Sequence, residues 1–264
     1  LFGLSWTQAA WVWPLSSCLV MAVALYMAHR PLAATAVALQ VVSAGLFFVF
    51  DVIPADASAF GHSGFWTPLI LALAALLCGA WVQREALAQS SKPKGWANAW
   101  CAQTIITWVA PVWALLAWLM AWSVESERVL LAHGWEAYLP HTFALIALLS
   151  SVLWAGLALR RAWPRMGQLS ALLVPALCAA ALAATDQRPS AFGGWLLWPV
   201  ALLWHVRLLR WQERWFSGGA AVKLYQGLHV LGFWLFLVLA ASECAQRFAE
   251  LGAPLSAWAL LGWA

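Results

Sequence analysis

Charge is the scarcest property of this 264-residue sequence: Asp, Glu, Lys and Arg together make up 9% of it. A water-soluble domain carries about a quarter, so most of this chain is not built to face water. No Asp, Glu, Lys or Arg falls near the middle of any long apolar run. Such intramembrane charges mark ion-coupled transporters and proton relays, and their lack counts against a relay in this chain. The five cysteines (Cys18, Cys78, Cys101, Cys178, Cys244) form no C-x-x-C and sit in or beside apolar runs. They read as small packing residues, and neither a metal nor a cofactor is expected. No nucleophile paired with a base and no phosphate loop occurs; Gly193-Gly194 and Gly218-Gly219 are lone pairs that read as turns. The polar–apolar alternation of barrel strands is missing too, because the runs are apolar all round.

What remains is hydrophobic: 64% of the residues, in runs long enough for the about 20 helical residues that cross a bilayer. The expected fold class is all-α, a polytopic transmembrane helical protein. Eight full spans are expected, at about 9–28, 32–50, 67–82, 100–122, 141–159, 169–185, 195–210 and 224–242, with a ninth starting near Pro254. Leu1 in place of Met, and an apolar run still open at Ala264, read as a fragment of a longer protein.

The pI near 9.0 does not point to nucleic acid, because the basic residues punctuate the helices instead of forming one patch. Lys and Arg in the successive connections number 1, 0, 3, 1, 3, 1, 4 and 1. That alternation is the signal that sets membrane orientation. It places the odd connections, such as Arg30 and Arg160-Arg161, in the cytoplasm. The N-terminus and the acidic ends of helices are expected on the periplasmic side.

One landmark occurs twice. Asp51-Val52-Ile53-Pro54 and Ser58-Ala59-Phe60-Gly61 return as Asp186-Gln187-Arg188-Pro189 and Ser190-Ala191-Phe192-Gly193, each followed by a Trp-Pro element (Trp66-Thr67-Pro68; Trp198-Pro199). Shared order over roughly 130 residues predicts an internal repeat. Four spans per copy make the copies parallel, related by an axis along the membrane normal. The expected organisation is a first four-helix repeat over 1–136, a second over 137–253, and the start of a further helix over 254–264.

Prolines inside the spans (Pro14, Pro111, Pro175) predict kinks. Of the 22 tryptophans, those near span ends (Trp11, Trp66, Trp122, Trp163, Trp195, Trp211) read as interfacial anchors. Trp108, Trp113 and Trp118 lie deeper and read as packing or as the lining of a ligand groove.

The stretch from Arg188-Pro189-Ser190-Ala191-Phe192-Gly193-Gly194-Trp195 through Trp198-Pro199 to Leu202 resembles a recognisable segment of the DUF2339 family of bacterial multi-pass membrane proteins. His205, the basic stretch Arg207–Arg214, Gly232-Phe233-Trp234 and Ser242-Glu243 continue the resemblance, which is clearest over 186–247. It implies a long, many-spanned protein of a bacterial cytoplasmic (inner) membrane. The family has no settled activity, so the resemblance implies no chemistry. The first copy departs from the pattern, with Gly61-His62-Ser63-Gly64-Phe65-Trp66 where the second has Gly193-Gly194-Trp195.

Asp51, Asp186, Glu125 and Glu243 occupy equivalent outward positions in the two copies. They read either as helix-end residues obeying topology or as one carboxylate pair per copy, able to bind a ligand at the outer surface. Gln40, in mid-span, reads as an interhelical hydrogen-bonding residue. His205 and His229 lie at matching depth in neighbouring spans and read as separate interior residues or as a polar pair. Two function classes follow. One is a non-enzymatic scaffold or transport-type protein with a periplasm-facing site. The other is a membrane-embedded cell-envelope transferase using an outward carboxylate as base. The partners implied are the lipid bilayer and an envelope glycan, lipid or small-molecule ligand, without nucleic acid.

Overall fold

The computed structural model describes residues 6–50, 58–89, 101–161, 163–186, 188–212 and 219–250. Every regular element among them is helical: α1 (Trp6–Tyr26), α2 (Arg30–Phe50), α3 (Ser63–Gln89), α4 (Cys101–Ala132), α5 (Leu139–Arg161), α6 (Pro164–Ala171), α7 (Val174–Ala183), α8 (Gly194–Gln212) and α9 (Gly219–Glu250). Two 3-10 turns, Glu136–Tyr138 and Ala184–Asp186, precede α5 and follow α7. In hydrocarbon a helix satisfies its own backbone hydrogen bonds, which is why uniformly apolar runs take this form.

Six of these helical segments are long and apolar enough to cross a membrane: Pro31–Val49, Ser63–Arg84, Trp108–Ala132, Glu136–Arg161, Pro164–Ala183 and Gln226–Glu250. The sequence reading expects eight. The difference lies in α1, whose apolar segment Trp11–Tyr26 is shorter, and in α8, which has His205, Arg207 and Arg210 among its 19 residues.

Three expected boundaries move. α4 continues past 122 to Ala132, because Ser126–Leu131 contains neither Gly nor Pro; Gly134, with φ of 69°, follows the helix end. α9 likewise continues past 242. Glu125 and Glu243 therefore sit inside long helices, not at their ends. The expected kink at Pro175 is a break between α6 and α7. Pro175 has no N–H for the Ala171 carbonyl, and α6 ends at that residue.

The chain forms two compact units, Leu1–Glu125 and Ser126–Ala264. In the first, α1, α2 and α3 pack through Met21, Ala24, Ala33, Ala36, Ala74, Cys78 and Val82. Alanine at the seam lets helix backbones approach closely. α4 joins through Ala121, Trp118 and Trp122 against Phe65 and Leu69 of α3. In the second unit Ala144, Ala147, Ala180, Ala181 and Ala201 bring α5, α7 and α8 together around Leu177, Trp198, Leu235 and Leu239. Many large apolar side chains face outward: Leu19 is 72% exposed, Leu203 71% and Phe48 67%. Small residues inside and large apolar residues outside suit a protein solvated by lipid.

Trp122 and Trp163 depart from the interfacial expectation. Trp163 is buried, and Trp122 lies in an aromatic cluster with Phe60, Phe65 and Trp118. Trp195 remains outward-facing.

Candidate functional site

In the first unit the turn before α3 places Phe60 at φ of 59°. The left-handed region costs a non-glycine residue roughly 1–2 kcal/mol, so something must hold it there. Three contacts do. The Gly61 amide donates to the Ser58 carbonyl at 3.1 Å, and the Trp66 indole donates to the Phe60 carbonyl at 2.8 Å. The Phe60 amide donates to Glu125 Oε1 at 2.7 Å. The other oxygen, Oε2, lies 2.7 Å from His62 Nε2. Glu125 is 1% exposed and the His62 side chain 6%. Both carboxylate oxygens are thus engaged by the turn, whose Phe60 packs against Phe65, which in turn packs against Trp122. His62 Nδ1 is buried without a hydrogen-bond partner among the described residues.

In the second unit the corresponding turn precedes α8, and Phe192 has φ of 50°. Glu243 of α9 accepts from the Ser190 amide at 3.0 Å and from its hydroxyl at 2.8 Å. Arg188 Nε and Arg247 Nε also donate to it, at 3.2 and 3.0 Å. Arg188 reaches Glu250 as well, at 3.1 Å. The Glu243 side chain is 26% exposed, against 1% for Glu125. Phe192 packs edge-on against Tyr138 at 4.6 Å. His141 of α5 is buried against Phe192 and Trp198 and donates from Nε2 to the Pro189 carbonyl at 3.1 Å. Gly194 stands where a Cβ would collide with the Pro189 carbonyl and the His141 ring. Only glycine fits that close approach.

Of the four carboxylates expected to form outward pairs, Asp51 lies outside the described residues. Asp186 closes a 3-10 turn, and its side chain lies outside the described residues. Gln40 bonds neighbouring helices, as its mid-span place predicts: its amide donates to Ser17 Oγ at 3.0 Å and to Cys78 Sγ at 3.4 Å. His205 is 4% exposed, with its ring in the notch at Gly232 of α9. Neither ring nitrogen has a hydrogen-bond partner among the described residues, so no hydrogen bond joins it to His229. His229 is exposed, three residues before Gly232.

The sequence reading missed His62, His141, Arg188 and Ser190 as partners of these turns. For Ser190 and Arg188 a signal existed, since they sit inside the repeated motif. For His141, on another helix, none did. Among the described residues no group of three or more His, Cys, Asp or Glu could hold a metal ion. Comparison with family models, with curated proteins and with solved structures gives no match.

Proposed function

We propose that this chain is a non-enzymatic scaffold or transport-type integral membrane protein, whose two units each present one glutamate-locked turn at the periplasmic surface. The observation that carries the reading is the occupancy of the carboxylates. Glu125 spends both oxygens on the Phe60 amide and His62. Glu243 receives four donors. Glu125 is 1% exposed and Glu243 already accepts four hydrogen bonds, arrangements that suit holding a turn better than taking a proton from a substrate within reach. The transferase reading starts from Asp51 and Asp186, whose side chains lie outside the described residues.

Around this core we place eight spans arranged as two parallel four-helix repeats. The repeated motif supports this, as does the Phe at positive φ at the same motif position in each unit. The alternation of Lys and Arg supports a bacterial inner-membrane orientation with the N-terminus outside. The resemblance to the DUF2339 family supports the same location. The ligand class we assign to the outward turns is an envelope glycan, a lipid headgroup or a small polar molecule.

Cysteine labelling tests the topology. In a Cys244→Ser background, Ala59→Cys and Ala191→Cys should react with a membrane-impermeant maleimide added outside intact cells. His29→Cys and Arg161→Cys should react only after permeabilisation. Labelling of one turn and not the other from outside contradicts the parallel arrangement.

A further inference from the structure

Cys18 and Cys78 are 60 positions apart in sequence, yet their sulfurs meet at 4.0 Å between α1 and α3. Cys18 is 9% exposed and Cys78 3%. The site around them is polar and built from three helices. Gln40 of α2 donates to Cys78 Sγ at 3.4 Å and to Ser17 Oγ at 3.0 Å. Ser17 Oγ donates to the Pro14 carbonyl at 2.6 Å. Cys18 Sγ lies 3.6 Å from the Pro14 carbonyl and 3.7 Å from the Ala74 carbonyl, each able to accept its proton. Cysteines used only as packing have no need of an amide donor on one sulfur and carbonyl acceptors beside the other.

Two chemistries fit a facing thiol pair. A soft metal ion held by two thiolates needs sulfurs about 4–4.6 Å apart at metal–sulfur distances near 2.3 Å. It also needs both thiols ionised in the middle of a helical bundle, with no cationic side chain beside them among the described residues, and a charge there is expensive. A disulfide needs the sulfurs to close to about 2.05 Å. Its product is neutral and apolar, so burial favours it. The electrostatic difference decides for the disulfide.

We propose that Cys18 and Cys78 are a redox couple that closes to an intramolecular disulfide tying α1 to α3, with a lipid-soluble two-electron acceptor of the quinone class as oxidant. Two S–H bonds break, one S–S bond forms, and the two electrons and two protons pass to the quinone, which becomes a quinol. Burial selects an apolar oxidant, because the thiols lie at mid-helix and are closed to water-soluble disulfides. The Gln40 amide stabilises negative charge as it develops on Cys78, and the Pro14 and Ala74 carbonyls accept hydrogen bonds from the Cys18 thiol until its proton passes to the quinone. The couple is independent of the glutamate-locked turns.

The test is to incubate the purified protein in lipid vesicles with duroquinone, whose ring carbons are all substituted and cannot alkylate thiols. Free thiols are then blocked in denaturant, and the digest is read by mass spectrometry without reduction. The expected product is a peptide pair joined through Cys18 and Cys78, two hydrogens lighter than its parts, with thiol labels falling from five to three. Gln40→Leu should slow its formation by roughly tenfold, the effect of one hydrogen bond on the developing charge. Cys18 and Cys78 both still labelled after duroquinone treatment would overturn the proposal, as would an unchanged rate in Gln40→Leu together with an unchanged rate in Ser17→Ala.

Discussion

The turn at 58–62 and the turn at 188–194 solve one problem at two degrees of burial. Each places a Phe in the left-handed region at the same point of a Ser-Ala-Phe-Gly motif, and each is held by a glutamate seven residues before the described end of a long helix. The first lock is dry: one carboxylate, 1% exposed, held by a backbone amide and an imidazole. The second is partly open, with a carboxylate 26% exposed among two arginines and a serine. The imidazole also changes source. In the first unit His62 comes from the turn itself. In the second, Gly194 leaves room, and His141 enters from α5. The backbone geometry is common, while the side chains that enforce it differ with burial.

Stability measurements break or sharpen this contrast. Glu125→Ala leaves the Phe60 amide and His62 Nε2 without their acceptor. Each buried unpaired group costs about 1–3 kcal/mol, so the loss should be about 2–5 kcal/mol in reversible unfolding in detergent. A loss under about 1 kcal/mol would mean that the site is not dry.

Gly194→Ala should come next, at about 1–3 kcal/mol, because a Cβ there meets the Pro189 backbone. Gly61→Ala, by contrast, meets only the rotatable Ser58 hydroxyl. Equal costs at Gly61 and Gly194 would remove the distinction between the two turns.

Glu243→Ala should cost only about 1 kcal/mol, since water screens and replaces its partners. The smallest effect belongs to salt. Raising NaCl to 1 M shortens the screening length to about 3 Å and should weaken the second lock by about 0.5 kcal/mol. The first should not respond.

Much of the architecture was legible because it rests on composition. Apolar runs with few charges dictate helices, and Gln40 in mid-span reads as a bond to a neighbouring helix ahead of a bond to a substrate. The boundaries of α4 and α9 were misplaced because a drop in hydropathy at Ser123-Val124-Glu125 is not a helix stop; the chain needs Gly134 for that. The carboxylates at Glu125 and Glu243 were visible as matched positions, but their role was not. Glu125 acts through an amide and a histidine 65 and 63 residues away, and Glu243 through Ser190 and Arg188, 53 and 55 residues away, pairings that no local pattern carries. The same holds for Cys18 and Cys78, which read singly as packing residues and meet only when α1 and α3 are in place.

The central claim is that Glu125 and Glu243 hold turns and do not perform chemistry. Hydrogen exchange of the two turns, followed by mass spectrometry in wild type, Glu125→Gln and Glu243→Gln, tests it most directly. The account predicts that Glu125→Gln speeds exchange at Phe60 at least tenfold and leaves Ser190 unchanged. It predicts that Glu243→Gln speeds exchange at Ser190 by a smaller factor and leaves Phe60 unchanged. Wild-type protection at both turns in both variants would contradict it and return the two carboxylates to the list of free catalytic groups.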